Sequence, residues 1–246
     1  MHAVNGHKVV VKIMNYGDAK HSPEGVITEI LGHVNDPGVD ILSIVRAYGL
    51  PEAFPKDIMR AAQAIPETVP EDAIARRRQH DFRQLTTITI DGEDAKDLDD
   101  AVSLEYDETT KQYRLYVHIA DVTEYVKEHS LIDQEALNRG TSVYLTDRVI
   151  PMLPRVLCNG ICSLNPEEDR LTLSCVMDID ASGKMLNHEI CESVIRSDKR
   201  MSYSGVHAIL TNTELTNGED IASYLPYKPL LERMYELSQL LRKRRY

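Results

Sequence analysis

Six carboxylates fall within ten residues, at Asp91, Glu93, Asp94, Asp97, Asp99 and Asp100. The run is bounded on both sides by strand-forming sequence. Residues 86–90 (Thr-Thr-Ile-Thr-Ile) are β-branched throughout, and residues 101–105 resume an extended pattern. Charged runs are usually solvated loops, because water screens their mutual repulsion. Strands this close on either side instead hold Asp99 and Asp100 at a strand edge, and carboxylates converging there call for a cation.

A donor set of hard oxygens, with no His or Cys, favours Mg²⁺ or Mn²⁺ over zinc. Mg²⁺ is typically bound through one or two carboxylates, several waters and substrate phosphate oxygens, so phosphoryl chemistry fits the run. A calcium loop of the EF-hand kind wants Gly sixth and Glu twelfth, whereas Gly92 stands second after Asp91. In two-metal phosphodiester hydrolysis the ions lie about 4 Å apart, and three or four carboxylates on one short loop can hold such a pair.

The surrounding sequence alternates sheet and helix, which points to an α+β architecture. Residues 6–13 and 25–31 read as two strands, too few for a stable domain, so the chain is expected to begin within a larger β-module. A turn at Asn35-Asp36-Pro37-Gly38 leads to helices at 57–64 and 71–78. Residues 101–105 and 113–119 form a hairpin across a polar connection at 107–112, so the acidic run is expected to flank a sheet edge. Ser130 with Asp133 three residues on, and Gly140 after the last periodic position, predict a capped helix over 131–139. Strands follow at 171–178 and 189–197. Leu230, Met234, Leu237 and Leu241 then define a final amphipathic helix after Pro229. It runs into Arg242-Lys243-Arg244-Arg245 with no cap and no following element for its apolar face, so the C-terminus reads as a cut.

The net charge of −11 over 246 residues excludes binding nucleic acid through a general positive surface, so any such contact is local or supplied by absent parts. Four cysteines without a signal peptide suit reduced thiols in a cytoplasmic protein. Cys158 and Cys162 lack a second pair at zinc spacing. No apolar stretch reaches membrane-spanning length, so no membrane partner is expected. His118, alone in a predicted strand, reads as a satisfied sheet residue.

The string Thr-Ile-Asp-Gly-Glu-Asp-Ala-Lys-Asp-Leu-Asp-Asp-Ala-Val (89–102) resembles the signature of the RNB catalytic domain of the ribonuclease II and R family, more closely its ribonuclease R branch. Four further segments agree in order: His-Ile-Ala-Asp-Val (118–122), Asn-Arg-Gly-Thr-Ser-Val-Tyr (138–144), Ile-Pro-Met-Leu-Pro (150–154), and Cys-Ser-Leu-Asn-Pro (162–166) with Asp169-Arg170. The resemblance implies the front half of an RNB domain, a mixed sheet with helices, over 81–246. It implies the last strands of an OB-like cold-shock domain over 1–36, and a helical linker over 37–80. Asp91, Asp97, Asp99 and Asp100 then match the four metal-binding catalytic aspartates, with Asp99 the one most needed for the chemical step. Glu93 and Asp94 match no catalytic position. Tyr144, which by context alone suits a core tyrosine or a ligand contact equally, matches the tyrosine that clamps the 3′-terminal nucleotide.

On this resemblance the parent protein is a processive 3′→5′ exoribonuclease that uses Mg²⁺, or Mn²⁺, to hydrolyse single-stranded RNA to nucleoside 5′-monophosphates. An arginine at the scissile phosphate, a glutamate near the 3′ end and an S1 domain are expected beyond this sequence, and the chain alone is expected to be inactive. The competing readings are a non-catalytic RNA-binding module and a Ca²⁺-binding structural protein. Protein partners are not legible.

Overall fold

In the computed structural model, which describes residues 2–215 and 220–245, the β-branched runs form strands as their patterning dictates. The strands are β1 (His7–Asn15), β2 (Glu24–His33), β3 (Thr87–Asp91), β4 (Asp100–Asp107), β5 (Gln112–Ala120), β6 (Val143–Tyr144), β7 (Val149–Ile150), β8 (Asp169–Ile179), β9 (Met185–Arg196) and β10 (Lys199–Ser202). The helices are α1 (Val39–Ala47), α2 (Lys56–Gln63), α3 (Glu71–Arg76), α4 (Leu131–Arg139), α5 (Tyr203–Thr211) and α6 (Lys228–Arg245). The expected α+β class, with a mixed sheet and helices, is what the chain adopts.

The chain divides into two compact units, residues 1–59 with 134–153 and residues 60–133 with 154–246. In the first unit, β1 and β2 pair as an antiparallel ribbon with register shifts at three points. A bidentate contact from Arg46 on α1 to Glu29 on β2, at 2.9 and 3.0 Å, ties the helix to the ribbon. Arg139 at the end of α4 is nearly buried. It donates to the carbonyls of Pro51, Ala53 and Pro151, pairs with Glu135, and stacks on Phe54 at 3.6 Å. Those contacts satisfy a buried charge that would otherwise be costly.

The second unit is built on a six-stranded sheet in the order β10-β3-β4-β5-β8-β9. β10 is parallel to β3, and every other pairing is antiparallel. Two places depart from expectation. β10 covers β3, so the acidic run lies at the ends of two interior strands and not at a sheet edge. The apolar face of α6 is also met, by elements that precede it in sequence. Leu231 joins Ile88, Met201, Ile209 and Tyr224 in one core cluster, and Leu237 joins Tyr113 and Ile179 in another. Each fully buried leucine contributes about 1.5–3 kcal/mol.

A third cluster, Leu98, Ala101, Ala120, Leu164 and Ile195, lies directly behind the acidic run. Beside it a polar ladder crosses five strands: Thr87 to Ser103 (2.7 Å), Ser103 to His118 Nε2 (3.2 Å), His118 Nδ1 to Ser174 (2.6 Å) and Ser174 to Ser193 (2.5 Å). His118 is thus a satisfied sheet residue. Arg77 and Asp121 form a buried ion pair at 2.5 Å, with Arg77 also donating to the carbonyl of Thr172 at 3.1 Å. No helix among the described residues is long and apolar enough to cross a membrane.

Candidate active site

Asp91 is the last residue of β3 and Asp100 the first of β4, so both are placed by the sheet. Between them, residues 92–99 leave the ladder, and Leu98 fixes how they do so. Its side chain, 2% exposed, is the only large apolar group in the run and sinks into the cluster behind it.

The backbone on either side is pinned by the Cys162–Pro166 segment. The Leu98 amide donates to Ser163 Oγ (3.0 Å), the Leu164 amide donates to the Leu98 carbonyl (2.8 Å), and Ser163 Oγ donates to the Lys96 carbonyl (3.1 Å). The Ala120 amide takes the Asp99 carbonyl at 3.0 Å. Arg170, buried, holds Ser163 in turn through its carbonyl at 2.7 Å. With Leu98 drawn inward and its main chain fixed, the flanking Asp97 and Asp99 turn the other way; Asp97 is partly buried and Asp99 solvent-accessible.

The carboxylates feel one another. Burial lifts the Asp91 carboxyl above the usual carboxylate range, and Asp100 and Asp97 add to this while Arg200 opposes it. Asp99 keeps contact with solvent, yet the protein crowded around it strips hydration and raises its carboxyl too. The charges of Asp97, Asp100 and Asp91 contribute further, in that order. The four matched aspartates therefore form one electrostatic group.

Asp91 Oδ2 is buried with no hydrogen-bond partner, as is Thr89 Oγ1 one strand repeat away. A buried orphan carboxylate oxygen among like charges is what a cation site looks like before the cation is counted. Among the described residues no three carboxylate, imidazole or thiol groups are gathered into a ready-made cage. A cation held here would have to complete its shell with water or substrate oxygens. Of the nearby thiols, burial pushes Cys158 up to about 11 and Cys162 up to about 12, so both stand protonated at neutral pH.

Of the bystanders, Glu93 is turned to Ser204, which donates to its carboxylate. Tyr144 lies in the first unit, on the β6–β7 hairpin, and is 68% exposed. Two groups that shape the site carried no signal around the acidic run. Ser163 is legible only through its motif. Arg200, whose terminal nitrogen donates to the Gly92 and Glu93 carbonyls at 3.1 and 2.6 Å, comes from a strand more than a hundred residues on.

An acidic loop between two interior strands is braced by the Ser163-Leu164-Asn165 segment, and comparison with known proteins shows what class of protein carries it. Residues 79–246 match the RNB domain and residues 1–55 the cold shock domain; the chain belongs to the RNB family. It is 45% identical over 240 residues to ribonuclease R of Thermotoga maritima, covering 97% of this chain and 33% of that protein. It is 43% identical to ribonuclease R of Acidithiobacillus ferrooxidans, covering 98% and 54%. Mycoplasma genitalium RNase R in complex with double-stranded RNA superposes with a TM-score of 0.84 at 27% identity, covering 98% of this chain and 41% of that one. The chain thus spans about a third to a half of the length of these relatives.

Proposed function

We propose that the protein is a 3′→5′ exoribonuclease that degrades single-stranded RNA processively to nucleoside 5′-monophosphates. Asp91, Asp97, Asp99 and Asp100 hold the Mg²⁺ or Mn²⁺, and Tyr144 holds the 3′-terminal nucleotide by stacking. The observation that carries the reading is the orphaned Oδ2 of Asp91, set within four mutually coupled carboxylates on a loop that the family's own motif segment braces. Family membership and the ribonuclease R relatives support the activity.

Asp91, Asp97, Asp99 and Asp100 would hold a divalent pair, which when bound would supply a hydroxide nucleophile and stabilise the leaving oxygen. The chain's own contribution is positioning. Leu98 and Ser163 keep Asp97 and Asp99 presented, while the β3 and β4 ends keep Asp91 and Asp100 in place. Stacking on an exposed tyrosine is tolerant of base identity, which suits an enzyme that consumes RNA without regard to sequence. By this reading 1–36 belong to the RNA-binding β-module, whose family match runs on to 55, the rest of 37–80 connects it to the catalytic part, and 81–246 are catalytic, within a cytoplasmic protein.

The test is hydrolysis of a 3′-labelled single-stranded RNA by the full-length parent protein with Mg²⁺. Asp99→Asn should lower kcat by at least about 100-fold, since even second-layer partners of a metal site cost 10–100-fold. RNA binding should persist in that variant. Equal activity in the two proteins would overturn the assignment, and binding without hydrolysis in the unsubstituted protein would favour a non-catalytic RNA-binding module.

A further inference from the structure

The segment from β10 into α5 reaches the acidic site without belonging to the carboxylate set. Arg200 lies opposite Thr89 in the parallel β10–β3 register, next to Met201, which is buried in the core, and Ser202, whose side chain caps α5 by accepting from the Gly205 amide at 2.8 Å. Its base is therefore rigid. From it, one guanidinium nitrogen donates to two successive carbonyls, Gly92 and Glu93. Ser204, in the first turn of α5, donates to the Glu93 carboxylate.

These contacts fall on a turn with few other ties. Gly92 follows Asp91 directly and has no side chain to pack; its carbonyl also accepts from the Ala95 amide at 3.1 Å, so apart from Arg200 the turn is closed by that one backbone bond. The residues just beyond, Glu93 and Asp94, are exposed. Leu98 anchors the far end of the loop, and the near end is left to the Ala95–Gly92 bond, Arg200 and Ser204.

We propose that Arg200, with Ser204 as a second tether, is a positioning residue for the acidic site: by holding the Gly92–Glu93 turn it sets Asp91 and Asp97 in register with one another. The inference rests on the reading of Asp91, Asp97, Asp99 and Asp100 as the metal-binding set, and it concerns how that set is held before any ligand arrives.

The experiment uses Mn²⁺ as the probe, followed by electron paramagnetic resonance, together with amide hydrogen exchange of the 246-residue chain without metal. Arg200→Met should weaken Mn²⁺ binding by about tenfold or more and speed exchange at residues 92–97, while β8 and β9 amides stay protected. Arg200→Lys, which keeps the charge but ends one bond short of the nitrogen that holds both carbonyls, should recover part of the affinity. Ser204→Ala should speed the same local exchange to a smaller degree, which keeps the test open if Arg200→Met does not fold. Unchanged exchange at 92–97 in Arg200→Met, or in Ser204→Ala where Arg200→Met does not fold, overturns the proposal. If the unsubstituted chain and Asp99→Asn bind Mn²⁺ equally, the metal-site reading fails instead, and the exchange data still decide whether Arg200 holds the turn.

Discussion

His118 shows how a single titratable group can be read for its role. It is 0% exposed, faces the Ser103 and Ser174 hydroxyls and the rings of Phe82 and Tyr116, and burial pushes its pKa down to about 4 from an ordinary 6.5. Both ring nitrogens are engaged within the sheet, so it is unavailable as a general base. Because the unfolded chain takes up the proton near pH 6.5 and the folded chain only near 4, stability from this group is complete above about pH 6.5. It is lost as pH falls through that window, by on the order of 3 kcal/mol in all. Denaturant unfolding of the chain and of His118→Gln, run at about pH 7 and pH 4, isolates the effect, since carboxylate titrations are common to both. The stability difference should move in favour of the variant by roughly that amount on acidification; a difference independent of pH would show that His118 is already protonated or exposed. At this scale the acidic residues were legible as types and spacing. That Asp91 carries an orphaned buried oxygen while Glu93 turns aside to Ser204 was not, because both facts depend on partners distant in sequence.

The elements visible in advance were those with local causes. β3, β4 and β5 declare themselves by β-branched alternation, and α4 by its cap: the Asp133 amide donates to Ser130 Oγ at 3.2 Å, and Gly140 closes the helix with φ +73°. β10 has no such cause. Lys-Arg-Met-Ser contains no β-branched residue and becomes a strand only because β3 offers it a parallel partner. α1 is masked by its two valines and two isoleucines, and α5 by Tyr, Gly, Val and His, all modest or poor helix formers. Missing β10 made the acidic loop look like a sheet-edge feature. The loop itself behaves as an element, with Ser163 its principal brace. Ser163→Ala would leave the buried Leu98 amide without an acceptor, at a cost of about 1–3 kcal/mol. Unfolding should register that loss, and Mn²⁺ affinity should fall with it as Asp97 and Asp99 lose their presentation. A variant that loses stability but keeps full Mn²⁺ affinity would show that the brace does not govern the aspartates.

At the scale of the whole molecule the charge balance has to be reconciled with a family whose substrates are polyanions. The excess of eleven negative charges is spread over the chain, whereas α6 ends in four consecutive cations, Arg242 to Arg245, on an exposed last turn. Cations also complement the C-terminal end of a helix dipole, so a local role within α6 competes with any role in RNA contact. The two are separable by salt dependence. Each phosphate neutralised on a single strand contributes about −0.7 to the slope of log K against log salt, so contact by these four alone can give a slope no steeper than about −3. Fluorescence anisotropy of a labelled oligouridylate with the 246-residue chain, from roughly 50 to 200 mM KCl, should therefore show weak binding with a shallow slope. Neutralising Arg242, Lys243, Arg244 and Arg245 to Gln should flatten that slope towards zero, because the remainder of the chain repels the strand. A steep slope that survives the substitutions would place the RNA contact elsewhere, on a local positive surface that the overall balance conceals.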